Sequence, residues 1–165
     1  MGFLEKTVSP KTRASLAILY FGLTRVPMIF YVRPSVVEIT AEQVVVKVPL
    51  KRRTKNHLNS MYFGALAVGA DCTAGIMAVR EIRRRAEPIS LVFKDIKADF
   101  LKRAEADVYF SCTQGREIAA LVSRAAETDE RVELPVQVTA IMPDLSDEPV
   151  ADFVLTLSLK KRLTK

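Results

Sequence analysis

Asp71 stands in the middle of the apolar stretch from Met61 to Val79 and is the residue whose chemistry most needs an explanation. If the stretch is a helix, the positions three and four residues away hold Ala67, Val68, Ala74 and Gly75, and none can pair with a carboxylate. Burying an isolated charge is costly. The group must therefore be bonded by residues distant in sequence, exposed at a cleft, or protonated. Two readings stay open at this level. One is a structural carboxylate that accepts backbone N–H groups. The other is a general base or nucleophile in an apolar pocket, its reactivity tuned by desolvation.

Other reactive side chains are few. His57, the single histidine, could carry a proton, although a solvent-facing imidazole is the plainer reading. Tyr62 could donate a hydrogen bond or pack as a first-turn aromatic. Cys72 adjoins Asp71, which raises rather than lowers a thiol pKa, and Cys72 and Cys112 read as buried inert thiols. One His and two scattered Cys lack the spacing of a zinc site, so no metal is expected. The basic clusters Lys51 to Lys55, Arg80 to Arg85 and Lys160 to Lys165 read as solvated turns and helix ends, some able to hold phosphates.

These residues need elements to hold them. Leu4, Val8, Leu16, Leu19 and Tyr20 fall at helical spacing, with Pro10 marking a break or a new start. Pro27 and Pro34 punctuate a connection into a hairpin formed by Ser35 to Thr40 and Gln43 to Leu50. The apolar helix follows, with Asn59 or Ser60 as N-cap and Pro88 as its stop. Ile89 to Leu101 and Asp107 to Cys112 are strands that could pair across Lys102 to Ala106. Gln114 to Thr128 reads as a surface helix, and Val132 to Met142 and Val150 to Leu159 as the last strands, joined by a turn over Pro143 to Pro149. The order predicts an α+β domain: an antiparallel sheet curled around one buried helix, with one end of the sheet seeking a neighbour.

Composition narrows the class. With 49% hydrophobic and 27% charged residues, disorder is excluded and a single core is expected. Two unpatterned cysteines fit a reducing, cytoplasmic setting. The net charge of +6 favours anionic partners. No nucleic-acid partner is expected, because aromatic residues do not interleave with the basic runs and no Trp is present. Ala14 to Leu23 follows Lys11 and Arg13, but Glu5 and Arg25 flank it and no small-residue cleavage pattern closes it, so a retained helix is expected and the mature chain starts near Met1. Membrane association through that helix is the lesser expectation. In the longer stretch, Asp71, three glycines and five alanines argue for a core helix rather than a span.

The run Asn56, His57, Leu58, Asn59, Ser60, Met61, Tyr62, Phe63, Gly64, Ala65, Leu66, followed by Asp71, resembles the helix-entry motif of hotdog-fold acyl-CoA thioesterases. That motif has an Asn, six residues later His-Gly-Gly, and an acidic residue seven positions after the second Gly. Asn56, Gly64 and Asp71 occupy the Asn, second Gly and acidic positions; Tyr62 and Phe63 replace the His and first Gly. The pattern is closest to a thioesterase-like branch with an altered His-Gly-Gly.

The resemblance implies a hotdog core over residues 34–162 behind an N-terminal helical extension over 1–33. It implies that Asp71 activates water or attacks the thioester carbonyl, that the Gly64 N–H polarises that carbonyl, and that Asn56 orients water or substrate. His57, Ser60, Tyr62 and Phe63 would contact the substrate. Coenzyme A enters only as part of the substrate, with no separate cofactor. A homodimer or dimer of dimers is implied, Asn56 and Asp71 coming from different subunits. Two rivals remain: an enoyl-thioester hydratase or dehydratase using His57 with Asp71, and a non-catalytic acyl-CoA or lipid binder, suggested by Tyr62 and Phe63.

Overall fold

Alternation dictates the strands. Val44, Val46 and Val48 are fully buried, while Val45 and Lys47 between them are partly exposed. The computed structural model describes residues 9–162, so Leu4, Val8 and Lys165 lie outside the described residues. The elements are α1 (Pro10–Thr24), α2 (Pro27–Val32), β1 (Ser35–Ile39), β2 (Val44–Val48), α3 (Phe63–Arg85), β3 (Ile89–Phe100), β4 (Val108–Cys112), α4 (Gly115–Glu127), β5 (Val132–Met142) and β6 (Ser146–Lys161). The strands form one antiparallel sheet in the order β1-β2-β4-β5-β6-β3, curved around α3 in the hotdog arrangement.

Small residues let the sheet approach α3 closely. Ala70, Ala74 and Ala78 are fully buried one turn apart, and the Phe110 ring of β4 lies so near Gly69 that a Cβ there would meet it at 2.4 Å. α3 is the described helix long and apolar enough to cross a membrane, but its buried alanines and Leu66 show why it is apolar: it is the core helix.

Four details differ from the sequence-based expectation. β3 and β4 do not pair. β4 lies between β2 and β5, while β3 takes the far edge against β6, with Phe93 opposite Leu157 and Phe100 opposite Ala151. The intervening segment crosses the domain, held by Leu101 and Lys102 N–H groups donating to Val150 O and by the Asp107 carboxylate accepting from Leu50 N. Neither Asn59 nor Ser60 caps α3. Ser60 is bonded to Asn56, Asn59 turns the chain at φ 63, and Tyr62 holds the N-cap position. The connection after Pro27 contains α2, with Pro27 in its first turn, where a missing N–H costs nothing. β6 starts at Ser146, before the expected Val150.

At the N-terminus Pro10 starts a helix, and the Ser9 hydroxyl accepts from Thr12 N. α1 lies along β1, where Ser15 Oγ accepts from Val36 N at 2.8 Å, so one edge of the sheet is covered. The opposite edge is β3.

Candidate active site

Asp71 lies on the side of α3 that the sheet leaves open, between the α1–α2 hairpin and β3. Among the described residues no hydrogen-bond donor or cation pairs with its carboxylate. Burial alone therefore acts on it, pushing its pKa from 3.8 up to about 6. Of the two readings open from sequence, the structural carboxylate would accept backbone N–H groups, and among the described residues none donates to Asp71. A carboxylate of that pKa is ionised at neutral pH and basic enough to take a proton from water.

Two cavities meet at this residue. One, of about 420 Å³, is lined by Ala67, Val68, Phe93, Ile96 and Leu155 together with Asp71 and, at its rim, Lys94 and Asp95. The other, of about 350 Å³, runs beneath the helical hairpin between Ile18, Phe21 and Ile29 on one side and Gly75, Ile76 and Val79 on the other. Asp71 and Phe93 line both. The first exists because β3 is bulged: its register against β6 shifts between Phe93 and Ile96. Lys94 is drawn to Glu133 at 2.7 Å, and Asp95 accepts from Thr156 Oγ1 at 2.7 Å. Phe93, Lys94, Asp95 and Ile96 all line the cavity, the two charged side chains tied to Glu133 and Thr156 rather than to Asp71.

Gly64 lies seven residues before Asp71, on nearly the same helix face and about 10 Å away along the axis. It lines a third cavity, of about 500 Å³, with Tyr62, Arg53, Met28 and Tyr31. No side chain caps the start of α3, which leaves the first-turn N–H groups of the helix without a side-chain acceptor. The Tyr62 ring lies against Gly64, where a Cβ would meet it at 2.6 Å, and also packs on Phe63 at 4.6 Å between centroids. Phe63 in turn meets Phe100 edge-on at 6.4 Å. Arg53 contributes a buried Nε with no hydrogen-bond partner among the described residues.

The other sequence candidates lie apart. The Asn56 amide is spent in its own turn: Oδ1 accepts from the N–H groups of Leu58 and Ser60, and Nδ2 donates to Ser60 Oγ at 3.0 Å. It shapes the entry to α3 within one chain and does not reach the Asp71 cavities. Ser60 is buried in that turn, and His57 is exposed on it. Burial and the adjacent Asp71 push the Cys72 thiol up, and burial pushes Cys112 up. Sequence reading missed Phe93, the bulge at Lys94 and Asp95, and the hairpin residues Phe21 and Ile29. The available signal was a first helix apolar on more than one face, which needs a second surface to bury.

No curated protein matches the chain significantly. Solved structures do. A protein of unknown function from Chlorobaculum tepidum superposes with a TM-score of 0.77 at 12% identity, covering 92% of this chain and 97% of its own. A thioesterase from Haemophilus influenzae gives 0.66 at 14% identity, covering 96% and 94%. A thioesterase family protein from Silicibacter pomeroyi gives 0.63 at 14%, covering 90% and 99%. At such identities the likeness establishes the hotdog fold of thioesterases and leaves the chemistry to the residues. The sequence also matches the family described as a domain of unknown function, DUF4442, over residues 16–159, and with most of its length matched the chain belongs to that family.

Proposed function

We propose that this protein is a thioester hydrolase acting on acyl-CoA, with Asp71 as the general base. The observation that carries the proposal is the unpaired Asp71 carboxylate, with a pKa of about 6, at the junction of two cavities. Asp71 takes a proton from water as the water oxygen attacks the thioester carbonyl. The tetrahedral oxyanion needs N–H donors, which the uncapped start of α3 at Gly64 can offer. Collapse breaks the carbon–sulfur bond, and the proton passes from Asp71 to the departing thiolate. Arg53, with its unpaired guanidinium nitrogen beside Gly64, is suited to an anionic part of coenzyme A.

In one chain Gly64 and Asp71 line different cavities, so the donors that serve Asp71 come from a second copy in this reading. The edge of β3 supports a homodimer. Val92, Ile96 and Phe100 expose about half of their surface (48%, 50% and 49%), and Lys97 and Asp99 alternate beside them. Antiparallel pairing of two β3 strands about Ala98 would set each Lys97 opposite Asp99 of the other copy. Asp99→Lys is expected to weaken self-association roughly tenfold, and adding Lys97→Asp to restore it. Sedimentation of the three proteins checks this; an unchanged Asp99→Lys dimer, or a wild-type monomer, refutes the pairing. The cytoplasm is the matching compartment, where Cys72 and Cys112 stay reduced.

Release of free thiol from a panel of acyl-CoA esters tests the activity, and absence of turnover on every ester would sink it. One observation favours a second reading, a non-catalytic acyl-CoA binder: the Tyr62 ring lies over Gly64, where a carbonyl would have to approach. Tyr62→Ala separates the two, since it should raise turnover if the ring obstructs the site and leave a pure binder inert.

A further inference from the structure

Three of the five described glycines are forced by packing: a Cβ would meet Phe30 N at 2.6 Å from Gly22, the buried Phe110 ring at 2.4 Å from Gly69, and Ala41 O at 2.2 Å from Gly115, while at Gly64 it would meet the half-exposed Tyr62 ring at 2.6 Å, which can turn aside. Gly75 is different. A Cβ there would touch only the Phe93 ring, at an ordinary 3.8 Å, and its φ is not positive. A glycine inside a helix weakens that helix relative to alanine, and at Gly75 neither close approach nor backbone conformation compensates. What remains is the space left by the missing side chain. That space opens into the cavity beneath the hairpin, one turn beyond Asp71.

The cavity suits one kind of occupant. The charged residues that line it, Asp71 and Arg83, are separated by twelve helix positions, a span of about 18 Å. Ile18, Phe21, Ile76 and Val79 give the stretch between them apolar walls. One leaflet of bilayer hydrocarbon is about 15 Å thick, so a fatty acyl chain fits the groove lengthwise, whereas a short acyl group would leave most of it unfilled. We propose that this cavity seats the acyl chain of a medium- or long-chain thioester, and that Gly75 sets the chain length admitted past Asp71. The proposal rests on the thioesterase reading for the position of the carbonyl, but the cavity's ligand can be tested without it.

Wild type, Gly75→Ala and Gly75→Leu are to be compared on butyryl-, octanoyl-, lauroyl- and palmitoyl-CoA. For Gly75→Leu, kcat/KM on lauroyl- and palmitoyl-CoA should fall roughly a hundredfold, with butyryl-CoA changed little. Gly75→Ala, which the clearance admits, should fall between on the long esters while raising Tm. Parallel losses on all four esters, or an unchanged profile, overturn the assignment. Displacement of a fluorescent fatty acid by palmitate is the readout independent of turnover. Binding by wild type that is lost in Gly75→Leu supports the cavity even if no ester is hydrolysed, in which case the thioesterase reading alone fails. Equal binding by both, or none by wild type, refutes the acyl seat. If Gly75→Leu does not fold, Phe21→Trp narrows the same cavity from the hairpin side and should give the same shift in chain length.

Discussion

Asp71→Asn should abolish thioester hydrolysis while making the protein more stable at neutral pH. The two effects have one cause. Burial raises the Asp71 pKa from 3.8 to about 6 with no partner to offset it, so the folded protein holds the proton more tightly than the unfolded chain. As pH rises from about 4 through 6 the unfolded chain releases this proton first, and the folded state loses stability by about 3 kcal/mol. Above the folded pKa the full penalty remains. Asparagine keeps the shape without the charge, so the variant's advantage should be small near pH 4 and fully developed by pH 8. Denaturant unfolding at both pH values checks this; an Asn variant less stable at pH 8 would mean that the carboxylate has a stabilising partner. On the activity side, loss of a general base removes roughly a hundredfold to ten-thousandfold in rate. The wild-type rate should itself fall about tenfold per pH unit below 6 as Asp71 becomes protonated.

Phe110→Ala should cost about 3–5 kcal/mol, the range for emptying a large aromatic site in a packed core. Phe110 is fully buried, meets Phe153 at 6.2 Å between centroids, and is the ring against which Gly69 is fitted. The same contact predicts a non-additive pair. Gly69→Ala alone drives a methyl into the ring and should cost about 1–3 kcal/mol despite alanine's better helix propensity. Combined with Phe110→Leu, which shortens the ring's reach, the total should be smaller than the sum of the single changes. Strict additivity in chemical unfolding would show that helix and ring are not in the contact described.

The parts of the molecule legible from sequence were those governed by local pattern. Asp71 stood out because a charge in an apolar helix has few explanations; α3 followed from its apolar length and its stop at Pro88, and the strands from alternation and valine-rich runs. What escaped depends on long-range pairing. Nothing local in β3 says that its partner is β6, because Phe93 meets Leu157 and Ala98 meets Phe153 only once the intervening segment has crossed the domain. The bulge at Lys94 and Asp95, which opens a cavity beside Asp71, is equally invisible: it shows only as a misfit between two strands far apart in sequence. Asn56 matched a motif position by spacing, yet its amide is occupied by Leu58 and Ser60, a competition that residue type alone cannot decide. Pro27 was read as punctuation when it opens α2, since proline both ends and begins helices.

The pairing of β3 with β6 also bears on how the chain is made. β3 is complete at Phe100, but its neighbour is the final strand, whose residues run from Ser146 to Lys161. At ribosomal speeds of about 5–20 residues per second, β3 waits several seconds for that strand. Until then the nascent chain presents an apolar helix under an unfinished sheet, together with a long strand lacking any partner. A chain that stops short of β6 would lose the whole attachment of β3, so truncations there should yield insoluble protein rather than a smaller working domain.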